Sequence, residues 1–404
     1  MKNKLWNKDY VLLLQGHAVS TIGDLMYSVA ICYWVYEKTG STGLMGIMSA
    51  VSMFVTMFLS PFAGSVVDKC NRKWVIVGMD ALQGILMLCI GALAFADSLS
   101  IPVVLISAVV AAFCGVLYSP AVSTLMIDII PHDEMVRGQS IYSGSKMLIN
   151  LVSSAFSGAM VAFFGVPLII VINGISNLYS AITELFVYVP KTLQQGQQVT
   201  VGNLLSDMKT ALHEIFSDRF MKLFIPSLLI LNLCAAGPIS LLLPFCLEKG
   251  FTVGMYGYIT AIYMIASLVC TLLLGAVKLK PMMRYVCMAA GFLCYIPFSI
   301  LAFLSNHFAA VCVFASLASF ANAAGNTVFN ASMMLALPDE NRGAILGFVD
   351  AASVGGCAVS TMCYGFLGDL FPLYLVFTVG SVITLAPMLV LCVSRRTKDF
   401  MLSH

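Results

Sequence analysis

Apolar runs of about 20 residues recur from one end of this chain to the other, each long enough to cross a bilayer core as a helix. No other feature constrains the fold so tightly. Of the 404 residues, 60% are hydrophobic and only 10% are charged. A water-soluble chain of that length would need far more polar surface, because no core can take in every side chain. The composition therefore points to a polytopic, all-α membrane protein.

Twelve spans can be drawn. Six lie near 10–36, 43–63, 74–96, 101–130, 139–163 and 167–189. Six more lie near 220–247, 252–275, 283–304, 308–337, 344–367 and 372–394. With both termini in the cytoplasm, all but three of the 21 Lys and Arg residues fall on the inner side; Lys38 and Lys249 lie outside, and Lys146 lies within a span. Positive residues are retained inside during insertion, so this asymmetry supports the count and the orientation together. The start "MKNKLWNKDY" has a basic head, but Gln15, His17 and Asp24 break the apolar run and no small-residue cleavage site follows. It reads as a retained first helix rather than a signal peptide. The thirteen cysteines are scattered and form no CxxC pair, which suits soft core residues better than disulfides or metal ligands.

Hydropathy drops between Pro190 and Phe220. Gln and Gly open this stretch as a flexible connector. Leu204, Leu205, Met208, Leu212, Ile215 and Phe216 then recur at helical spacing behind a capping Asn203, as in an amphipathic helix on the inner membrane surface. The expected organisation is a six-helix half at 1–190, a cytoplasmic linker at 191–219 and a second six-helix half at 220–404. The halves look duplicated. "YSPAVSTLMIDIIPHDEMVRG", from Tyr118 to Gly138, aligns with "GNTVFNASMMLALPDENRG", from Gly325 to Gly343, so that Pro131 pairs with Pro338 and Arg137 with Arg342. Parallel duplication of a six-helix unit is a transporter plan, with the substrate held near the interface of the halves. Chance similarity of two cytoplasmic turns is the alternative.

One loop gathers charge in a chain that avoids it. "GSVVDKCNRK", from Gly64 to Lys73, holds four charged residues in ten. Its Gly64, Asp68, Arg72 and Lys73 resemble the signature between helices 2 and 3 of the major facilitator superfamily. The preceding "GHAVSTIGDLMYSVAICYWVYEKTGS" and the following "WVIVGMDALQGILML" resemble its macrolide-efflux branch. The helix 5 stretch "LVSSAFSGAMVAFFG" departs from the family's drug–proton antiporters in lacking Gly-Pro, and "GAVKLKPMMR" between helices 8 and 9 has lost an acidic residue. The resemblance implies the twelve-helix fold, alternating access and a bacterial cytoplasmic membrane. It also implies that Asp68 interacts with the N-terminal end of helix 11, and that Arg72 pairs with Asp68 and with Asp128. That network, with Lys73, would latch the inner gate, and Gly64 would permit close helix approach. A loop that only fixed topology would need Lys or Arg, but not Asp68 four residues before Arg72.

Charged side chains near a bilayer centre cost about 2.5–3.5 kcal/mol each on insertion scales, so each needs a reason. Asp24 sits mid-helix in "STIGDLMYS" and reads as a proton-coupling or cation-binding site facing the cavity; a protonated carboxyl that only ties helix 1 to a neighbour is the alternative. Lys146, in "SGSKMLIN", is close enough to the helix end to snorkel. Asp350 holds nearly the matching place in helix 11, and the two either line a gate or snorkel independently. Asn322, Asn326 and Asn330 share one face of helix 10 at i, i+4 and i+8, with Ser119 and Ser123 at the related positions of helix 4. Asn232 on helix 7 precedes Gly237, Pro238 and Pro244, which can bend that helix. In the family, helices 1, 4, 7 and 10 line the cavity, which makes these residues and Tyr27 substrate-cavity candidates; interhelical hydrogen bonding is the alternative for the Asn residues. Asn173, Asn177, Ser180 and Glu184 make a similar stripe on helix 6, read as structural packing, with Glu184 near enough to the helix end to reach water.

No Gly-Lys-Ser/Thr phosphate loop is present, and His213–Glu214 lacks the second His of a zinc-protease helix. The chain is therefore expected not to be an enzyme, to need no cofactor or metal, and to avoid nucleic acid. The expected function is proton-coupled export of amphiphilic small molecules such as macrolide-like drugs, by a monomer in the cell membrane. Export of an endogenous siderophore, peptide or lysophospholipid stays open as an alternative, and so does a non-transporting sensor or scaffold.

Overall fold

The computed structural model describes residues 5–131, 134–188, 221–277, 280–336, 342–394 and 397–398. The side chains of Asp68, Asn330, Arg342 and Asp350 lie outside the described set, as do Pro338 and the expected amphipathic helix near 203–216.

The described residues form twelve long or short α-helices and no strand. In chain order these are α1 (Lys8–Thr39), α2 (Thr42–Lys69), α3 (Arg72–Phe95), α4 (Ile101–Ile129), α5 (Met135–Leu185), α6 (Met221–Ser240), α7 (Leu242–Glu248), α8 (Val253–Ala276), α9 (Pro281–Leu304), α10 (Phe308–Ala336), α11 (Arg342–Leu370) and α12 (Leu373–Val393). Ten segments are long and apolar enough to cross a membrane, and α6 with α7 makes an eleventh, bent by 52°. Helix α5 has 51 residues and breaks at Gly165, whose φ of 72° lies in the left-handed region that glycine tolerates. At 1.5 Å per residue α5 is about 75 Å long, enough for two crossings of a roughly 30 Å core. Counting both its arms gives the twelve spans expected from hydropathy.

Local chemistry explains where helices start and bend. The Asn7 side chain accepts from Tyr10 N–H and caps α1; Thr252 caps α8 in the same way through Met255 N–H. Gly40, at φ 63°, closes the other end of α1. Prolines explain the broken seventh span. Pro244 has no N–H for the Ser240 carbonyl, and the helix parts there, between α6 and α7. Pro238 frees the Cys234 carbonyl, which instead accepts from the Tyr364 hydroxyl at 2.7 Å.

The chain divides into two compact units. Unit 1 comprises Met1–Gly40 and Val51–Thr200; unit 2 comprises Ser41–Ala50 and Val201–His404. Within unit 1, α1 lies tightly against the second arm of α5: a side chain at Gly16 would overlap Thr183 and crowd Ser180, and one at Gly23 would overlap Ser176 and Asn173. Gly84 of α3 and Gly174 of α5 face one another in a similar close approach, each within reach of the other's carbonyl. Small residues permit such approach in lipid, where packing and hydrogen bonds hold helices together. Unit 2 repeats the device where Gly291 of α9 meets Gly325 of α10. The duplication also shows in helix lengths: α3 and α9 both have 24 residues, and α4 and α10 both have 29.

Candidate functional site

Unit 1 carries two polar constellations. The first lies where α2 passes into α3. Arg72, the first residue of α3, donates from one guanidinium nitrogen to Asp128 Oδ2 at 2.8 Å, in the last turn of α4. The side chains are 28% and 12% exposed, so the pair is largely withdrawn from solvent. Beneath it Val67, Ile76, Leu125, Met126 and Ile129 join Leu5, Tyr10 and Leu13 in a buried apolar cluster. The Asn7 amide donates to the Ile129 carbonyl at 2.8 Å, and the Tyr10 hydroxyl to the Gly138 carbonyl at 2.8 Å. These bonds tie the start of α1 to the joint between α4 and α5. Lys73 is half-buried beside Arg72. Gly64 departs from expectation: no described atom lies within 4 Å of where its side chain would begin, so it makes no close helix approach here.

The second constellation lies inside the helices. Asp24 Oδ1 accepts from Gln83 Nε2 of α3 at 2.8 Å and from Asn177 Nδ2 of α5 at 3.1 Å. Asn177 also donates to Asn173 Oδ1 at 2.7 Å. Tyr27, one turn along α1, has its hydroxyl 3.2 Å from Ser107 Oγ of α4. Asp24 is therefore held by neutral donors, with no ion pair to it among the described residues. A carboxyl in that setting can take or release a proton without breaking a salt bridge.

Further along α5, Glu184 accepts from the Tyr118 hydroxyl of α4 at 2.8 Å and from Ser180 Oγ at 3.4 Å. Glu184 is only 2% exposed, so its expected reach to water is corrected. The reason is packing: α1 presses on this arm through Gly16, next to Ser180 and Thr183, and shuts the last turn of α5 away from solvent. The stripe on that arm also meets α1, since Asn177 donates to Asp24. Asp80 of α3, 6% exposed, belongs to the same interior and was not singled out from the sequence. Its only sequence signal was a carboxyl amid the apolar residues of "WVIVGMDALQG".

In unit 2 the candidate cavity residues are partly paired with one another. Asn326 Nδ2 donates to Asn322 Oδ1 at 2.7 Å along α10, and Asn326 remains exposed. Asn232 Oδ1 lies 3.8 Å from the Cys357 thiol of α11. Among the candidates of unit 1, Ser119 and Ser123 are exposed on α4, with the Ser123 hydroxyl on the Ser119 carbonyl at 3.0 Å. Lys146 is exposed on α5, as a snorkelling side chain would be. A feature not foreseen is the start of α2, capped by Asp369 of α11. Its carboxylate accepts from Thr42 N–H at 2.6 Å, Gly43 N–H at 3.1 Å, and the hydroxyls of Thr42 and Ser41 at 2.9 and 2.7 Å. It takes up donors that a helix start otherwise leaves unsatisfied.

No cluster of His, Cys, Asp or Glu among the described residues has metal-binding geometry, and none of the thirteen cysteines forms a disulfide.

Comparison with known proteins fits this architecture. The chain is 22% identical over 204 residues to macrolide efflux protein A of Streptococcus pyogenes, covering 50% of each chain. It is 24% identical over 223 residues to multidrug resistance protein 2 of Bacillus subtilis, covering 54% of each. The matched stretch spans about half the length of these curated relatives. Among solved structures, the nucleoside transporter NupG superposes with a TM-score of 0.74 at 12% identity, covering 98% of this chain and 99% of that one. A bacterial homologue of the human lysosomal transporter Spinster, inward-facing and unoccupied, gives 0.71 at 15% identity, covering 98% and 95%. At such identities the likeness speaks for the fold alone. The sequence profile of the Major Facilitator Superfamily matches residues 13–277 and 234–399, nearly the whole chain, and the protein belongs to that family of membrane transporters.

Proposed function

We propose that the protein exports amphiphilic small molecules, macrolide-like drugs among them, by proton-coupled alternating access in a bacterial cytoplasmic membrane. The observation that carries this reading is Asp24, a carboxyl within the first span that accepts from the neutral side chains of Gln83 and Asn177 and forms no ion pair among the described residues. A proton bound or lost there changes the charge inside the span at no cost in broken ion pairs. The efflux proteins similar to this chain supply the direction of transport and the substrate class. The two six-helix halves, 1–190 and 220–404 with the linker 191–219 between them, would rock to expose the cargo site to each side in turn. Tyr27, Ser119, Ser123, Asn232, Asn322, Asn326 and Asn330 would offer polar contacts to cargo in an otherwise apolar surround. Arg72 with Asp128, joined by Asp68 and Lys73, would close the inner gate. The protein would work as a monomer with both termini in the cytoplasm and would carry out no catalysis.

The test is accumulation of labelled macrolides, dyes and lipids in pump-deficient cells expressing wild type or Asp24→Asn, with and without an uncoupler. Export that lowers accumulation several-fold and needs both Asp24 and the proton gradient is the expected result. Equal accumulation in all cases, with the protein present in the membrane, overturns drug export and points to an endogenous cargo.

A further inference from the structure

Asn177 of α5 has more acceptors around its amide nitrogen than it has hydrogens to give. Its Nδ2 lies 2.7 Å from Asn173 Oδ1, 3.1 Å from the Asn173 carbonyl oxygen and 3.1 Å from Asp24 Oδ1. An amide nitrogen carries two hydrogens, so three acceptors compete for two bonds. The arrangement also fixes which way the amide points, because a turned Asn177 would set its own oxygen against all three. Asn177 and Asn173 are 1% and 0% exposed, so bulk solvent supplies no further donor.

We propose that Asn177 is the positioning residue that reads the charge of Asp24. It bonds α1 to α5 while the carboxylate is ionised, and turns its hydrogens over to Asn173 once the carboxyl is protonated. The proposal rests on the proton-coupling role given above to Asp24 and names how that charge reaches a second helix. Hydrogen bonds to an ionised acceptor are about twice as strong as neutral ones. Ionised Asp24 therefore holds one Asn177 hydrogen outright, and the two oxygens of Asn173 share the other. A proton on Asp24 removes that advantage, and each Asn173 oxygen can then take a hydrogen of its own. The Gln83 bond remains, but it ties Asp24 to α3 rather than to α5.

The position gives this exchange a consequence for packing. Gly23, next to Asp24, lies so close to α5 that a side chain there would overlap Ser176 and Asn173. Asn173 is thus both the competing acceptor and part of the wall that α1 packs against. A change in its bonding acts where α1 has little slack. The ionisable groups whose charge meets Asp24 are Tyr27 of α1, Asp80 of α3 and Cys114 of α4. From α5 its bonded partner is a neutral amide, and no ion pair to it exists among the described residues.

The test is a pH titration of the purified full-length protein in lipid nanodiscs, followed by the infrared carbonyl stretch of protonated carboxyls. Subtracting the Asp24→Asn spectrum isolates the Asp24 band. Asn177→Leu takes a donor from the carboxylate, so the midpoint should rise, by on the order of one pH unit. Asn173→Ala removes one of the three acceptors and leaves a hydrogen to Asp24 alone, so the midpoint should fall. Asn173 Nδ2 has no hydrogen-bond partner, so no bond donated by that amide is lost with it. Opposite shifts from residues one turn apart are not what loosened packing produces. If Asn177→Leu fails to fold, the isosteric Asn177→Asp, read against the same change in Asp24→Asn, should also raise the midpoint. Unchanged midpoints, or shifts of one sign at both positions, overturn the proposal. Absence of any Asp24-dependent band sinks proton binding at Asp24 and the proposal with it. Opposite shifts in a protein whose transport ignores the proton gradient would defeat proton-coupled export alone and leave Asn177 in its role.

Discussion

Arg72 and Asp128 show what one residue pair can do at a helix joint. Their 2.8 Å contact joins the start of α3 to the end of α4 above an apolar cluster, and both side chains are more than two-thirds withdrawn from water. Replacing Arg72 with Ala leaves Asp128 largely buried without that guanidinium, a loss on the order of 1–3 kcal/mol. Transport by Arg72→Ala is expected to fall several-fold while membrane abundance falls little, measured as uptake into vesicles normalised to protein; normal transport at normal abundance would refute a gating role. This pair was legible beforehand because family likeness supplied both positions. Glu184 and Asp80 were not, for a physical reason. Helical spacing shows that Asn173, Asn177, Ser180 and Glu184 share a face, but not which helix that face meets. Only the close approach at Gly16 and Gly23 brings α1, and with it Asp24, against that face.

At the scale of an element, the broken seventh span links proline chemistry to packing. Twelve crossings, their approximate limits and the bend near Pro238 and Pro244 could all be read from hydropathy and proline positions. What could not be read was the compensation, because it comes from another helix. Pro238 leaves the Cys234 carbonyl without its usual donor, and the Tyr364 hydroxyl of α11 supplies one at 2.7 Å. Tyr364 is buried and packs against Gly237 and Gly380, so it has no room to turn elsewhere. Tyr364→Phe should lower stability by about 1–3 kcal/mol, since it strands a buried acceptor. In Pro238→Ala the backbone N–H at 238 can take that acceptor back, so the phenylalanine substitution should cost less in the Pro238→Ala background. Thermal unfolding of the four proteins forms a double-mutant cycle. Equal costs in both backgrounds would show that the tyrosine acts through packing alone.

At the scale of the whole molecule, polar groups fall into two kinds. In unit 1, Gln83, Asn177, Tyr118 and Ser180 gather inside the helices on Asp24 and Glu184. Those of α10 in unit 2 stay on a surface: Asn326 is exposed even while it bonds to Asn322. An exposed amide facing lipid would be unfavourable, because its carbonyl oxygen would leave water for hydrocarbon. The same amide facing a water-filled path costs little. Cysteine placed at position 326, in a chain stripped of its thirteen native cysteines, should therefore react with a membrane-impermeant thiol reagent. Position 317, an exposed leucine on the same helix, serves as the lipid-facing control and should react far more slowly. Protection of position 326 by an added macrolide would place cargo on this face. Equal inertness of both positions would return the Asn322–Asn326 pair to helix packing.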